Sequence, residues 1–217
     1  IGLSALTTLL TLVVGLPVAR LIATGSGRAK GLLLALMLVP LVCGALLPSL
    51  GMIHLLGPLG VVNGTLKLLG LTSSSIKFLG TTGGVVLGLV QAFLPLMVLP
   101  LVNTLSRLPR DVEHAASSLG ASPLRVWRRV ILPLAMPGII AGAVLVFSAA
   151  FTSFVTPQVL GQGKIATFGT VAYQQAALVL DWPFASTLAV VVLVAIGLAL
   201  ILSAQFDRLL KRRRLAA

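Results

Sequence analysis

The sequence predicts an all-α integral membrane protein, a polytopic helical bundle with about five transmembrane helices, its N-terminus outside and its C-terminus cytoplasmic. Three observations carry this. Mean hydropathy is +1.12 and only 9% of the 217 residues are charged, against about a quarter in soluble domains. Five uncharged runs, Ile1–Ala19, Gly31–Ile53, Phe78–Ser106, Val130–Pro157 and Trp182–Phe206, approach or exceed the roughly 20 apolar residues that cross a hydrocarbon core. They do not alternate in polarity, so they are helices and not barrel strands. Finally, the basic residues alternate by side. The connection Arg20–Lys30 holds three Lys/Arg, Arg107–Arg129 five and the tail after Phe206 five, while the other connections hold only Lys67, Lys77 and Lys164. Basic residues gather on the cytoplasmic side, which fixes the expected orientation.

Taken in order, the first run ends at Arg20 without a small-residue cleavage pattern and is a span, not a signal peptide. Five spans beginning outside lead to the expectation of an earlier N-terminal span that this chain lacks. The second run contains Pro40, Pro48 and Cys43. The prolines bend it, and the single cysteine is expected to be a small apolar packing residue. The third run opens "GTTGGVVLG", with Gly80, Gly84 and Gly88 at four-residue intervals, and the fourth repeats the device with Gly138 and Gly142. Small residues at that spacing let helices approach closely. Pro95, Pro100 and Pro137 add bends. The connections Gly60–Leu71 and Ala166–Phe184 carry short helical patterns for the interface, and Tyr173 and Trp182 suit an aromatic belt.

Several functions are excluded. A net charge of +12 suggests nucleic acid in a soluble protein, but here membrane topology accounts for it. No ionisable residue lies within the five runs, with His54 at one margin. Proton-coupled carriers and intramembrane enzymes need such groups, which are costly enough in lipid to mark function. The chain is therefore read as no enzyme, with no catalytic residue, metal site or cofactor of its own. "GQGKIAT" (Gly161–Thr167) is not a phosphate loop. Gln158 stands where the first Gly belongs, and Ile165 follows Lys164 where Ser or Thr is needed.

The segment Arg107–Pro133 departs from this apolar background, and its spacing reads as helix, corner, helix. Pro109 starts the first helix, with Asp111 and Glu113 in its first turn, where acidic residues complement the dipole. Val112, Ala115, Ala116 and Leu119 form one apolar face. Gly120 is the expected left-handed terminator. Ser122 then caps a second helix with Pro123 at its first position. There Leu124, Trp127 and Ile131 line one side and Arg125, Arg128 and Arg129 another. A basic amphipathic hairpin suits a lipid surface, but a face of Ala and Ser suits docking into a protein groove better.

Here a family resemblance appears. "HAASSLGASPLRVWRRVILPLAMPGIIAG" (His114–Gly142) resembles the EAA loop of binding-protein-dependent ABC importer permeases, of the MetI-like type: Glu-Ala-Ala, three residues, Gly, nine residues, Ile-x-Leu-Pro. Ala115, Ala116, Gly120, Leu132 and Pro133 fit the register, with Val130 in place of Ile. The order of spans and "DWPF" (Asp181–Phe184) look most like the spermidine/putrescine permease branch. The resemblance implies a single permease domain over residues 1–217, with 107–133 as the ATPase-coupling loop. It implies a bacterial inner membrane location and a second permease subunit. It further implies an external substrate-binding protein and a cytoplasmic ATPase dimer that binds the ATP and magnesium. One position departs: His114 occupies the Glu register and Glu113 lies one residue earlier, which rotates the carboxylate about 100° around the helix.

A polyamine path should offer carboxylates or aromatic rings to ammonium groups. This chain offers only Asp181, with polar Gln91, Asn103 and Gln158 near the span faces, so either the partner permease and binding protein supply the recognition or the solute is different. Asp181 equally suits a helix N-cap before Trp182-Pro183. A ferric complex or a phosphonate is the alternative solute, and a membrane scaffold that recruits a cytoplasmic protein is the alternative function.

Overall fold

The computed structural model describes every residue except 26, 109–115, 117, 119 and 216–217, with only the backbone at 202–204 and 206–215. Among the described residues there is no strand. The helices are α1 (Gly2–Thr24), α2 (Gly27–Val42), α3 (Leu46–Leu56), α4 (Val61–Leu68) and α5 (Thr82–Ser106). After the central segment come α6 (Pro123–Val126), a π turn (Trp127–Ile131), α7 (Leu132–Thr152) and α8 (Val155–Leu160). The chain finishes with α9 (Phe168–Tyr173), a second π turn (Gln174–Val179) and α10 (Trp182–Leu215). Among the described residues, five segments are long and apolar enough to cross a membrane: Gly2–Thr24, Leu46–Leu68, Thr82–Ser106, Pro123–Thr152 and Trp182–Ile201.

The centre is a three-helix packing of α1, α5 and α7. On α1 the buried residues are Ser4, Thr7, Thr11, Gly15, Ala19 and Ile22, a stripe at three- and four-residue spacing that is small over most of its length. Such a stripe brings backbones close. A Cβ on Gly15 would stand 3.0 Å from Met97 Cγ and 3.5 Å from Val98 Cγ2 on α5. On α7, a Cβ on Gly138 would meet Thr104 Oγ1 at 2.6 Å and Pro100 O at 3.0 Å, and one on Gly142 would meet Met97 Sδ at 2.7 Å. Met97, Val98, Leu101 and Val146 fill the space between these helices at 0% exposure. The outer helix α10 contrasts with them, since none of its Trp182–Ile201 stretch is buried within the chain.

Three expectations need correction. The second run is not one continuous helix: α2 ends at Val42, residues 43–45 form a turn with Gly44 at φ +71°, and α3 begins at Leu46. Pro40 leaves a carbonyl of the preceding turn without its helical donor before the break, and Gly44 takes the left-handed conformation at the break itself. By length and composition Leu46–Leu68 is the candidate span here, although α3 and α4 are themselves separated at residues 57–60, and α2 followed by α3 leads from the Lys30–Ser106 end to the Ser49–Thr156 contact near the other end. Cys43 consequently lies in that turn and is exposed, not packed. In the third run only Gly88 serves helix contact, against Leu160 and Thr156 of α8. Gly80 precedes the helix at φ +73°, and Gly84 faces the Phe78 carbonyl of its own turn.

The two ends of the bundle differ in charge as the sequence suggested. Lys30 Nζ donates to Ser106 Oγ at 3.1 Å, so the Arg20–Lys30 connection and the start of the Arg107–Arg129 segment share one end. At the other end the Gly80 N–H donates to Leu160 O at 2.8 Å, with Lys164 beside Gly80. Here Asn63, 1% exposed, organises the α3–α5 connection. Its Nδ2 donates to Gly57 O (2.9 Å) and Ile76 O (3.0 Å), and its Oδ1 accepts from the Ile76 N–H (2.8 Å). One buried amide thus satisfies three backbone groups that would each be costly to leave unpaired. Thr167 and Thr170 make a capping box that starts α9. "GQGKIAT" is a turn, with Gln162 and Gly163 at positive φ.

Candidate functional site

The central segment approaches the bundle through Leu108 and leaves it through α7. Glu113, His114 and Ala115 lie outside the described residues, as do Val112 and Leu119. Ala116 and Ser118 are helical. Gly120 has φ +76°, and the Ala121 N–H donates to Ala116 O at 3.2 Å. A six-to-one bond around a left-handed glycine is the Schellman end of a helix, so the corner forms as the sequence required. Ala116 packs against the chain's own inner core, together with Leu108 and Ala121. It therefore sits on the bundle side and is not part of a free docking face. Among its described residues, Ser118, Gly120, Ser122, Pro123, Leu124, Arg125, Arg128 and Arg129 are exposed.

The second half begins at Ser122, in the N-cap position with extended backbone but no side-chain cap bond. Its carbonyl instead accepts from the N–H groups of Arg125 (2.8 Å) and Val126 (3.0 Å). Val126 and Ile131 are buried in the inner core and Trp127 is half-buried against it. Ser122, Leu124, Arg125, Arg128 and Arg129 line an open hollow of about 240 Å³ on the opposite side. Between α6 and α7 the helix widens into the π turn, where the Leu132 N–H bonds to Trp127 O. Pro133 explains the widening. It has no N–H, and its ring clashes with the carbonyl four residues back in a regular helix; i to i−5 bonding makes room.

The four polar residues considered for a solute path are not gathered into one site. Gln91 lies on α5, half-buried, and its Oε1 is buried without a hydrogen-bond partner. Asn103 is exposed on the same helix, twelve residues on or about 18 Å along the axis. Gln158 is half-buried on α8. Asp181 is exposed, and its Oδ1 accepts from the Phe184 N–H at 3.0 Å, so it caps α10. The N-cap reading of Asp181 holds. Tyr173 stacks on Phe154, with ring centroids 4.3 Å apart.

Some polar features escaped sequence reasoning. Thr7 Oγ1 and Ser148 Oγ are buried without partners, as is Gln91 Oε1. Ser49 and Thr156 share a buried hydroxyl contact of 3.1 Å between α3 and α8. The serines and threonines of α1 repeat every three or four residues, a pattern visible in the sequence but hidden under its high hydropathy. The π turn before Leu180 (φ 62°) also had a signal in the following Asp181-Trp182-Pro183.

The family model for the binding-protein-dependent transport system inner membrane component matches residues 5–215. The chain belongs to this family. As a member it is a multi-pass inner membrane protein and the permease component of an ABC importer. It is 34% identical over 213 residues to the spermidine/putrescine transport system permease protein PotB of Escherichia coli, covering 98% of this chain and 78% of that protein. Against PotB of Haemophilus influenzae the identity is 33%, over 98% of this chain and 74% of that one. The molybdenum transport system permease protein ModB of Mycobacterium tuberculosis is 34% identical over 151 residues, covering 70% of this chain and 55% of that protein. These relatives are transport permeases, not enzymes. The chain also shares its fold with a chain of a bacterial alginate ABC transporter crystallised with an alginate pentasaccharide-bound periplasmic protein. The TM-score is 0.71 at 17% identity, over 96% of this chain and 77% of that one.

Proposed function

We propose that this permease carries a polyamine such as spermidine or putrescine inward across the membrane, in an assembly driven by separate ATPases. A soluble binding protein delivers the solute outside, and a second permease subunit completes the path. Residues 1–217 act as one permease domain. The basic end faces the cytoplasm, in keeping with the sidedness of Lys and Arg. There residues 107–133 dock on the ATPase dimer, which holds ATP and magnesium. Glu113, His114, Ala115, Gly120, Leu132 and Pro133 belong to that loop, with Ala116 holding it to the bundle.

The observation that carries the solute assignment is the match to PotB over 98% of the chain. Gln91 adds chemical support: an unpaired buried carbonyl oxygen is an acceptor suited to an ammonium donor. Asn103, Gln158 and Asp181 are secondary, since they sit apart and Asp181 is engaged in its cap. The match to ModB favours a second reading, import of a small oxyanion, for which the unpaired acceptor is a poorer partner. Uptake by cells expressing the complete transporter separates the two. Labelled spermidine should enter in an ATP-dependent manner, with putrescine competing and molybdate not. Molybdate entry without spermidine entry refutes the polyamine assignment.

A further inference from the structure

Arg20 and Trp127 make a contact that the coupling loop alone does not explain. Arg20 lies half-buried near the basic end of α1, immediately after Ala19, which is fully buried in the inner core. Its guanidinium carbon stands 4.7 Å from the centroid of the Trp127 ring. A planar guanidinium over an indole face is a directional attraction, strongest when water is excluded. Trp127 is also the first residue of the π turn, and its carbonyl accepts the Leu132 N–H that defines that turn.

The docking segment consequently reaches the bundle by two routes. One follows the chain through the π turn into α7, and the other crosses from Trp127 to Arg20 and enters α1. The first passes through a turn already widened ahead of Pro133. The second bypasses that turn and grips the helix whose small stripe packs on α5. Lys30 bonded to Ser106 ties α2 to α5 at the same end. From this arrangement we infer that Arg20 is a positioning residue for coupling: stacked on Trp127, it carries displacement of the docking segment into α1, so that α1 and α7 move together. This rests on the proposed docking of residues 107–133 to the ATPases.

The test is a double-mutant cycle in the complete complex, reconstituted in nanodiscs with its ATPases and binding protein, using spermidine as the probe solute. Arg20→Gln and Trp127→Leu should each retain bound ATPase subunits but lose roughly tenfold in binding-protein-stimulated hydrolysis, and the double variant should fall no further than the worse single. Arg20→Lys keeps charge without the planar stack and should also fall, whereas Trp127→Phe keeps a ring and should stay within about twofold. Losses that multiply in the double variant overturn the inference. So does wild-type stimulation in Arg20→Gln, or loss of the ATPases from the single variants. Gly120→Asp run in parallel isolates the docking reading: if it is active, docking is wrong, and the cycle still judges the stack. If the wild-type complex is not stimulated, the proposed function fails and the cycle is read from thermal unfolding midpoints, where additive shifts overturn the contact.

Discussion

Gly120→Asp should abolish solute uptake and binding-protein-stimulated ATP hydrolysis while leaving membrane insertion intact and lowering thermal stability only modestly. The two halves of that expectation have different causes. Gly120 sits at φ +76° and ends a helix, and a Cβ there would meet nothing within 4 Å. The cost to the fold is then conformational, about 1–2 kcal/mol for an L-residue and at the low end for Asp, which tolerates this region. A side chain that the chain itself accommodates acts through whatever approaches it from outside. The new carboxylate would stand at an exposed corner that also presents Arg125, Arg128 and Arg129. Gly120→Asn separates the contributions, because it accepts the same backbone without charge. If Asn and Asp variants both keep full uptake, the corner does not touch a partner. If only thermal stability falls, Gly120 is a helix terminator and nothing more.

Gly142→Val should be the most damaging single substitution for the bundle itself. A Cβ at this position would lie 2.7 Å from Met97 Sδ, 3.1 Å from Met97 O and 3.2 Å from Met97 Cα. The sulfur can move, but the backbone atoms cannot without parting α5 from α7. Parting them would loosen the packing of Met97, Val98, Leu101 and Val146, all 0% exposed. Overpacking of this kind costs about 1–3 kcal/mol, equivalent to a fall of roughly 2–12 °C in Tm for a chain of this size. Thermal unfolding of the purified protein in detergent measures it. Gly51→Ala on α3 is the control, since a Cβ there meets nothing within 4 Å, and its Tm should hold or rise slightly. Equal losses at Gly142 and Gly51 would mean that the α5–α7 approach is not what the glycine serves.

Much of this architecture was legible in the sequence because the membrane simplifies the physics. Long apolar runs had to be helices, and the sidedness of Lys and Arg matched the charge difference between the two ends. Gly138, Gly142 and Gly120 were read correctly because each has one dominant reason to be glycine: close approach in the first two, positive φ in the third. The second run misled because hydropathy does not register a break between two helices. Pro40 was read as a bend, and nothing in apolar composition distinguishes a bend from the break that Gly44 completes. The glycines of the third run misled for a similar reason, since four-residue spacing is meaningful only once the helix has begun, and α5 starts at Thr82.

The candidate site was legible in part. The corner at Gly120 followed from local rules, while the inward packing of Ala116 depends on tertiary contacts that no spacing reveals. Gln91 was noticed as polar within grease, but its unpaired oxygen is a property of the packed bundle. The Arg20–Trp127 stack joins residues far apart in sequence, one noted for charge and the other for its apolar face. Neither residue type, basic or apolar, hints at a pair.

Whether residues 107–133 contact the ATPases can be measured directly by photocross-linking. Ser118→Cys in a Cys43→Ser background places a benzophenone label on an exposed helical residue of the segment. Leu59→Cys, fully exposed at the opposite end, serves as the control. In the active complex the label at position 118 should form a covalent adduct with an ATPase subunit, in a yield that changes when ATP is added, and the label at 59 should form none. An active complex in which position 118 labels only lipid or the permease itself contradicts the account.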